Sequence, residues 1–139
     1  MSLLHRFSLA ASALLVIDAQ DNFKAAAAYW ARRNNLAFEA NVASLVTAYR
    51  EANLPIYYVL HSDSDPGWET TTRVAADLGY DVDFVIDATL TFPIPYREDG
   101  KLVGELGVAE IEERTRFVLR DRFARIVDTA QLINEIKAS

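Results

Sequence analysis

The side chains best placed for chemistry lie where short apolar runs of the chain end. Asp18, His61 and Asp87 each directly follow such a run. Runs of this kind are typical of strands that are buried on both faces of a parallel sheet. Because ligands of open parallel sheets bind beyond the carboxyl ends of the strands, these three side chains are candidates for a functional site.

Asp18 is open to two interpretations. At the end of a buried strand its carboxyl group is partly desolvated, which would suit it to proton transfer. The same side chain can instead cap the following turn through its carboxylate oxygens. Composition and spacing by themselves favour the capping role.

Acidic residues behind His61 raise the question of a metal site. Asp63 and Asp65 lie in the polar loop that follows His61, and carboxylates are ligands of hard cations. The only other histidine, His5, lies near the start of the chain. A solvated acidic turn is the favoured interpretation, so we predict neither a metal ion nor another cofactor.

The elements that would position these residues alternate between strand and helix. Apolar runs rich in β-forming residues predict strands at Ala13–Ile17, Ile56–Leu60, Val82–Ile86 and Ala124–Val127. Apolar residues at helical spacing predict helices over Leu36–Ala52, Glu69–Leu78 and Glu105–Arg122, with a last helix beginning at Asp128. This order predicts one α/β domain of three layers, with a Rossmann-like, mostly parallel sheet and helices on both faces.

Local signals predict where these helices begin and end. Asn35 is in position to cap the first long helix, and Asn53 and Gly79 are in position to end a helix in the left-handed conformation. Asp128, followed three residues later by Gln131, resembles a capping box at the start of the last helix.

Residues 88–104 form a long segment that we predict to be irregular, since it contains Pro93, Pro95 and Gly100. Loops of this length are uncommon in compact domains and are often functional. The part Thr89–Gly104 either closes over the site or builds a subunit interface. Its apolar residues favour the interface.

The bulk composition limits the classes of function. The chain has 139 residues, which fit one domain, and a formal charge of −6, unlike the clustered positive charge of nucleic-acid-binding proteins. No apolar run reaches the ~18 residues that a membrane span requires. The start, Met1–Leu15, has features of a signal peptide but continues into a predicted strand. We therefore predict a cytoplasmic protein whose partner is a small-molecule substrate, without nucleic acid or membrane.

Cysteine is absent from the sequence. Disulfides, thiolate metal sites and a cysteine nucleophile are therefore excluded for the chain as written. This absence matters because of the resemblance that the remaining sequence shows.

Four blocks of the sequence resemble the isochorismatase-like cysteine hydrolases, in the order in which that family has them. The first is similar to the family's first-strand motif, in which an aspartate, then a glutamine two residues on and a phenylalanine five residues on follow the strand. The blocks are Leu15–Phe23, Asn53–His61, Glu69–Val82 and Asp87–Ala88. The resemblance implies a hydrolase that acts on a small molecule at an amide or related C–N bond. It also implies an oligomer of at least two subunits.

The resemblance also implies roles for particular residues. The family uses an aspartate, a lysine and a cysteine, whose thiolate attacks a carbonyl carbon while backbone amides hold the oxyanion. Asp18 matches the aspartate, which shuttles the proton. The candidate substrate-binding residues are Phe23, which flanks the pocket, Gln20, which holds the turn beside it, and Trp30 and His61. Structural roles for Gln20, Trp30 and His61 remain open, and Tyr29 shares the alternatives of Trp30.

One piece of the family pattern is missing at a single junction. The family has a helix and a strand, with the lysine and the cysteine, where Trp68 is followed at once by Glu69. Such a piece needs on the order of thirty residues. Lys24 and Lys101 do not lie at the position of the family lysine.

Two explanations account for the missing piece. In one, the protein lacks it, which would expose two strand edges or force the neighbouring strands to pair across the gap. In the other, the 139 residues are two blocks of a longer natural chain, which the close match of both flanks favours. The competing function is a catalytically inactive relative that uses the fold for binding or assembly. A flavodoxin-like fold is disfavoured because no Gly-rich loop follows the first strand.

Overall fold

The computed structural model describes residues 9–19, 24–25, 27–60 and 68–139. Its strands are β1 (Leu14–Ile17), β2 (Ile56–Val59), β3 (Asp83–Val85), β4 (Ile94–Glu98), β5 (Lys101–Leu106) and β6 (Arg125–Val127). Its helices are α1 (Ala27–Trp30), α2 (Phe38–Glu51), α3 (Trp68–Asp77), α4 (Val108–Leu119) and α5 (Thr129–Ala138). None of the helices in these ranges is long and apolar enough to cross a lipid bilayer.

Four of the strands form two parallel pairs. β1 pairs with β2, and β3 pairs with β6. The predicted α/β class with parallel strands is therefore confirmed. Within the described ranges the pairs are separate two-stranded sheets, because neither β1 nor β2 is hydrogen-bonded as a strand to β3 or β6. The sheet that the sequence predicts as continuous is divided in two.

One hydrophobic core joins the two pairs through a shared layer of helices. Leu45 and Tyr49 of α2 and Leu132 of α5 lie in the same cluster as Leu14 of β1 and Val127 of β6. The buried residues of α2 recur at three- and four-residue spacing, as one face of an amphipathic helix requires. The helices α2 and α5 thus cover one face of both parallel pairs.

A second core covers the opposite face of the β3–β6 pair. Phe84 and Ile126 lie in this core, whereas their neighbours Val85 and Val127 face the first one. Side chains alternate between the faces of a strand, so the pair is covered on both sides. On the second side it packs against α4, whose Leu119 is 0% exposed. The predicted helices on both faces are present at this pair.

The β1–β2 pair is covered on one face only. Leu14 and Val16 face the core with α2 and α5, although Tyr58, which is paired with Val16 on this face, is 59% exposed. On the other face Leu15, Tyr57 and Val59 are 50%, 59% and 41% exposed. Parallel strands are usually buried on both faces, so this uncovered surface is unusual for the class.

The helix α3 begins at Trp68, so the junction between Trp68 and Glu69 lies in its first turn. Thr72 of this helix is buried. The guanidinium carbon of Arg73 lies 5.5 Å from the centroid of the Phe123 ring. This cation–π contact links α3 to the loop between α4 and β6.

Most predicted helix ends agree with the backbone. Asn53 and Gly79 have positive φ angles of 56° and 88°, as the left-handed residue after a helix does. Asp128 caps α5, and its Oδ1 atom accepts a hydrogen bond from the backbone N–H of Gln131 at 2.7 Å. Both helix ends and the Asp128 cap are confirmed, but the Gln131 side chain donates to Glu135 at 3.0 Å, so only the Asp128 half of the predicted capping box is seen.

The prediction that Asn35 caps the first long helix was wrong. The helix α2 follows Ala37, without a side-chain cap. The Asn35 amide instead donates hydrogen bonds to the backbone oxygens of Ile86, at 2.8 Å, and Thr89, at 2.6 Å. Asn35 therefore joins the start of α2 to the end of β3, a long-range contact that replaces the local cap.

The prediction of an irregular segment over residues 88–104 was also wrong. Its second half forms an antiparallel hairpin of β4 and β5, which continues to Leu106. Asp99 and Gly100 link the strands, and both have positive φ angles, 49° and 77°. Two residues of this type form the turn that matches the twist of a hairpin. Glu105, the predicted first residue of a helix, belongs to β5, and α4 begins at Val108.

Candidate functional site

Asp18 lies where the chain leaves β1. Its backbone N–H donates to the oxygen of Val59 at 2.8 Å, which extends the pairing of β1 with β2 by one bond. Its φ angle is 55°, in the left-handed region that aspartate tolerates better than most residues. The strand therefore ends at Asp18 with a sharp change of direction, at the carboxyl edge where ligands of parallel sheets bind.

One carboxylate oxygen of Asp18 has an unusual environment. Oδ1 is buried and, among the residues that the structure describes, has no hydrogen-bond partner. Most buried polar atoms have a partner, and a buried exception calls for a functional or structural reason. This oxygen is free to accept a proton or a hydrogen bond from a ligand. The turn that Asp18 was expected to cap, residues 20–23, lies outside the described part of the chain.

Asp87, the third strand-end candidate, has a structural role. Its Oδ1 atom accepts hydrogen bonds from both the backbone N–H and the hydroxyl of Thr129, each at 2.8 Å. Its backbone oxygen accepts a further bond from the side-chain amide of Asn41 at 2.8 Å. Because Thr129 is the first residue of α5, the Asp87 carboxylate holds the start of that helix against the end of β3.

Asparagines near the start of α2 fix the segment after β3. Asn34 accepts a hydrogen bond from the backbone N–H of Thr91 at 2.7 Å and donates its own N–H back to the Thr91 oxygen. Asn35 and Asn41 bind other backbone oxygens of the same segment. Sequence reasoning missed this role, although three asparagines within eight residues were a visible signal. The group sets the direction in which the chain leaves β3.

Trp30 and Tyr29 form an aromatic cluster with Phe92. The Tyr29 and Phe92 rings are stacked, with centroids 4.7 Å apart, and the Trp30 ring lies 6.4 Å from Phe92. The Tyr29 hydroxyl donates to the backbone oxygen of Pro93 at 3.2 Å. Tyr29 therefore packs on the segment that leads into β4. Trp30 is half-buried, and its contact with substrate stays a prediction.

Arg33 is a candidate that sequence reasoning missed. Its guanidinium carbon lies 4.2 Å from the centroid of a Trp30 ring, and Nη1 donates to the Trp30 backbone oxygen at 2.9 Å. Its Nε atom is buried and has no hydrogen-bond partner among the described residues. The preceding Arg32, in contrast, forms an ion pair with Glu105. Arg33 thus offers an N–H donor beside an aromatic ring, an arrangement suited to a carboxylate or carbonyl oxygen.

The other predicted site residues lie outside the described part of the chain. They are Gln20, Phe23 and His61, together with Asp63 and Asp65 of the acidic turn. Within the described ranges, no three histidine, aspartate or glutamate side chains are grouped so that they could hold a metal ion.

Arg125, Asp83 and Glu135 form a cluster of charged side chains. Arg125 donates to both carboxylate oxygens of Asp83 at 2.7 Å and to Glu135 at 2.8 Å and 3.0 Å. These hydrogen bonds raise the pKa of Arg125 and, from the other side, lower the pKa of Glu135. Asp83 and Arg125 are the first residues of β3 and β6, so this cluster lies at the amino ends of these two strands.

Comparison with known proteins gives the fold. No protein-family model matches the chain. A hydrolase of the isochorismatase family from Chromobacterium violaceum ATCC 12472 has a similar structure, with a TM-score of 0.79 and 18% identity over 100% of both chains. An isochorismatase from Pseudomonas putida KT2440 follows with a TM-score of 0.66 and 21% identity, over 86% of this chain and 89% of its own. One from Burkholderia xenovorans LB400 has a TM-score of 0.62 and 19% identity, over 91% of this chain and 87% of its own.

Proposed function

Because the chain has the isochorismatase-like fold, we propose that it is a hydrolase of a small molecule that acts at an amide or related C–N bond, with Asp18 as the proton-transferring residue. The observation that carries this proposal is the buried Asp18 oxygen that lacks a hydrogen-bond partner among the described residues. It lies at the carboxyl edge of a parallel strand, where such sheets bind their ligands. The similar proteins from three bacteria are hydrolases or isochorismatases, which supports the reaction class.

The proposed step needs one proton acceptor and one nucleophile. The nucleophile attacks the carbonyl carbon, Asp18 accepts the proton that the nucleophile loses, and Asp18 then delivers it to the leaving nitrogen. This sequence breaks the C–N bond, returns Asp18 to its carboxylate form and leaves the acyl group on the nucleophile. A water molecule then attacks this acyl group, which releases the carboxylic acid and restores the nucleophile.

The nucleophile is the missing part. The 139 residues contain no cysteine. We infer that the family lysine and cysteine belong to a helix–strand segment that is absent between Trp68 and Glu69. Two features support this inference: β1 and β3 are not joined as strands, and the outer face of the β1–β2 pair is uncovered. An additional parallel strand would join β1 to β3, and its helix would cover the outer face of the β1–β2 pair.

Substitution of Asp18 tests the proposal in the natural protein. Asp18→Asn keeps the size of the side chain and tolerates the left-handed backbone, but it removes the proton acceptor. We expect kcat/KM for amide substrates, followed as release of ammonia, to fall by about 10²–10⁴-fold, with folding unchanged.

The matched control for this substitution is Asp121→Asn. Asp121 is also an aspartate with a positive φ angle, 60°, but it is exposed between α4 and β6. This variant should retain full activity. Turnover that survives Asp18→Asn would refute the assigned role of Asp18.

The absence of cysteine favours a second candidate, a catalytically inactive relative that uses the fold for binding or assembly. This protein would hydrolyse no amide even in its natural form. Asp18→Asn would then change ligand affinity or stability but no rate. Activity of the natural protein on any of these amide substrates excludes this candidate.

A further inference from the structure

The turn that joins β4 to β5 places an aspartate directly before a glycine. Asp99 and Gly100 are both exposed, and they form the whole connection between the paired residues Glu98 and Lys101. Asp99 is the only aspartate of the sequence that a glycine follows directly. The side-chain carboxyl group of an aspartate can react with the backbone nitrogen of the next residue, and a glycine hinders this reaction least because it has no side chain.

The backbone nitrogen of Gly100 is not used in the pairing of the hairpin. The hydrogen bond of a two-residue turn joins the residues on either side of it, here Glu98 and Lys101. Apart from the chain neighbours of Gly100, no atom of the described residues lies within 4 Å of the position that a Cβ atom would take there. The nitrogen is therefore neither bonded in the ladder nor shielded by another part of the protein.

The carboxylate of Asp99 is also free to move. Within the described part of the chain, no residue donates a hydrogen bond to it or forms an ion pair with it. The carboxylates of Asp87 and Asp128 differ in this respect, because each accepts a hydrogen bond from a backbone N–H of α5. Those bonds fix the two carboxyl groups in place, whereas the carboxyl group of Asp99 can rotate towards the nitrogen of Gly100.

The hairpin is held firmly at its base and weakly at its turn. At the base, the Tyr29 hydroxyl donates to the oxygen of Pro93, and Arg32 forms an ion pair with Glu105. All residues of β4, and all but the last of β5, are exposed. A two-stranded hairpin of this kind is marginally stable in water, so its turn end opens readily. Opening releases the backbone of Asp99 and lets its side chain reach the next nitrogen.

We propose that Asp99 is a site of spontaneous isomerisation to isoaspartate. The backbone nitrogen of Gly100 attacks the carboxyl carbon Cγ of Asp99 and loses its proton, while one carboxyl oxygen leaves as water, which gives a cyclic imide. A water molecule then opens the ring. Attack at Cγ restores aspartate, and attack at the backbone carbonyl carbon of Asp99 leaves Gly100 bonded to Cγ as isoaspartate. One water is lost and one is taken up, so the mass of the chain is unchanged.

Isoaspartate opens the turn but leaves the body of the protein intact. It adds one methylene group to the path of the backbone, whereas the present turn depends on two ordinary residues with positive φ angles. We therefore expect the pairing of Glu98 with Lys101 to be lost. Neither hydrophobic core contains a residue of the hairpin, so the modified protein stays folded. This proposal does not depend on the proposed hydrolysis.

Storage of the purified chain at neutral pH and physiological temperature tests this modification. Samples taken over several weeks are digested, and electron-transfer fragmentation in a mass spectrometer locates isoaspartate in each peptide. We expect isoaspartate to accumulate at Asp99, together with a small amount of the imide, which is lighter by one water. Asp121 is the internal control, because it is also exposed and has a positive φ angle of 60° but is followed by Arg122. Isoaspartate should form there at least about tenfold more slowly.

Gly100→Asn separates the role of the glycine from the exposure of the turn. Asparagine tolerates the positive φ angle of this position, but its side chain hinders the backbone nitrogen, so isomerisation at Asp99 should slow by about tenfold. Circular dichroism should show that the variant and the stored wild type are both folded. An equal rate in Gly100→Asn and in the wild type, or isoaspartate that accumulates no faster at Asp99 than at Asp121, overturns the proposal.

Discussion

The two parallel strand pairs of this protein differ in how completely they are built. The β3–β6 pair has helices on both faces, a fully buried Leu119 and an ion-pair cluster that joins its strands to α5. The β1–β2 pair shares α2 and α5 with it on one face but exposes Leu15, Tyr57 and Val59 on the other. The better covered pair has structural side chains at its strand ends, whereas the less covered pair carries Asp18.

This difference is clearest at the two aspartates that follow β1 and β3. At the end of β3, the Oδ1 atom of Asp87 accepts two hydrogen bonds from Thr129, which hold α5. At the end of β1, the Asp18 carboxylate has an oxygen without a partner among the described residues. Two aspartates at equivalent places in their strands are thus distinguished by their hydrogen bonds. This contrast is the reason why Asp18, and not Asp87, is the aspartate that we propose for proton transfer.

Matched leucine substitutions should show the difference most strongly. Leu119→Ala removes a side chain that is 0% exposed and should lower the free energy of unfolding by about 2–5 kcal/mol. Leu15→Ala removes the same atoms from a position that is 50% exposed and should cost less than about 1 kcal/mol. Urea unfolding of the 139-residue chain measures both values. Equal losses would mean that the outer face of β1–β2 is covered, which would contradict the difference between the two strand pairs.

A smaller effect of pH should be confined to the β3–β6 half. The hydrogen bonds from Arg125 lower the pKa of Glu135, so the folded state binds this proton less readily than the unfolded chain does. The resulting stability is present above the ordinary glutamate pKa of about 4.3 and is lost as the pH falls through the lowered value. Both side chains are about a third exposed, so solvent screening keeps the contribution below about 1 kcal/mol.

Glu135→Gln tests this pH dependence. The variant should be slightly less stable than the wild type at pH 7, and the difference should shrink towards zero as the pH falls below about 4. Urea midpoints measured from pH 7 to pH 3 give the comparison. A difference that stays constant over this range would show that Glu135 does not act through its charge.

The elements that sequence reasoning found are those whose signals are local. Apolar runs located β1, β2, β3 and β6, and the left-handed residues Asn53 and Gly79 marked helix ends. The hairpin was missed because the Asp99–Gly100 turn lies among prolines that also signal irregular structure. Asn35 was misjudged because its amide binds backbone oxygens about fifty positions away in the sequence. Local patterns do not contain that contact.

The candidate site was predictable to a lesser degree. Spacing after an apolar run was enough to select Asp18 and Asp87, but it could not separate them, since only the fold brings Thr129 to Asp87. Arg33 was missed because an arginine in a loop has no distinctive pattern until the fold sets it beside Trp30. The roles of Gln20, Phe23, Trp30 and His61 stay predictions.

We propose that Asp18, at the end of the β1–β2 pair, belongs to the active site of a hydrolase. A further segment between Trp68 and Glu69 would complete this site. The most direct test is the intact mass of the natural protein, measured together with its thiol content. We expect a mass above 15.6 kDa by about 3 kDa or more, because a helix–strand segment needs on the order of thirty residues. We also expect at least one reactive thiol. A natural protein of 15.6 kDa without a thiol would contradict it.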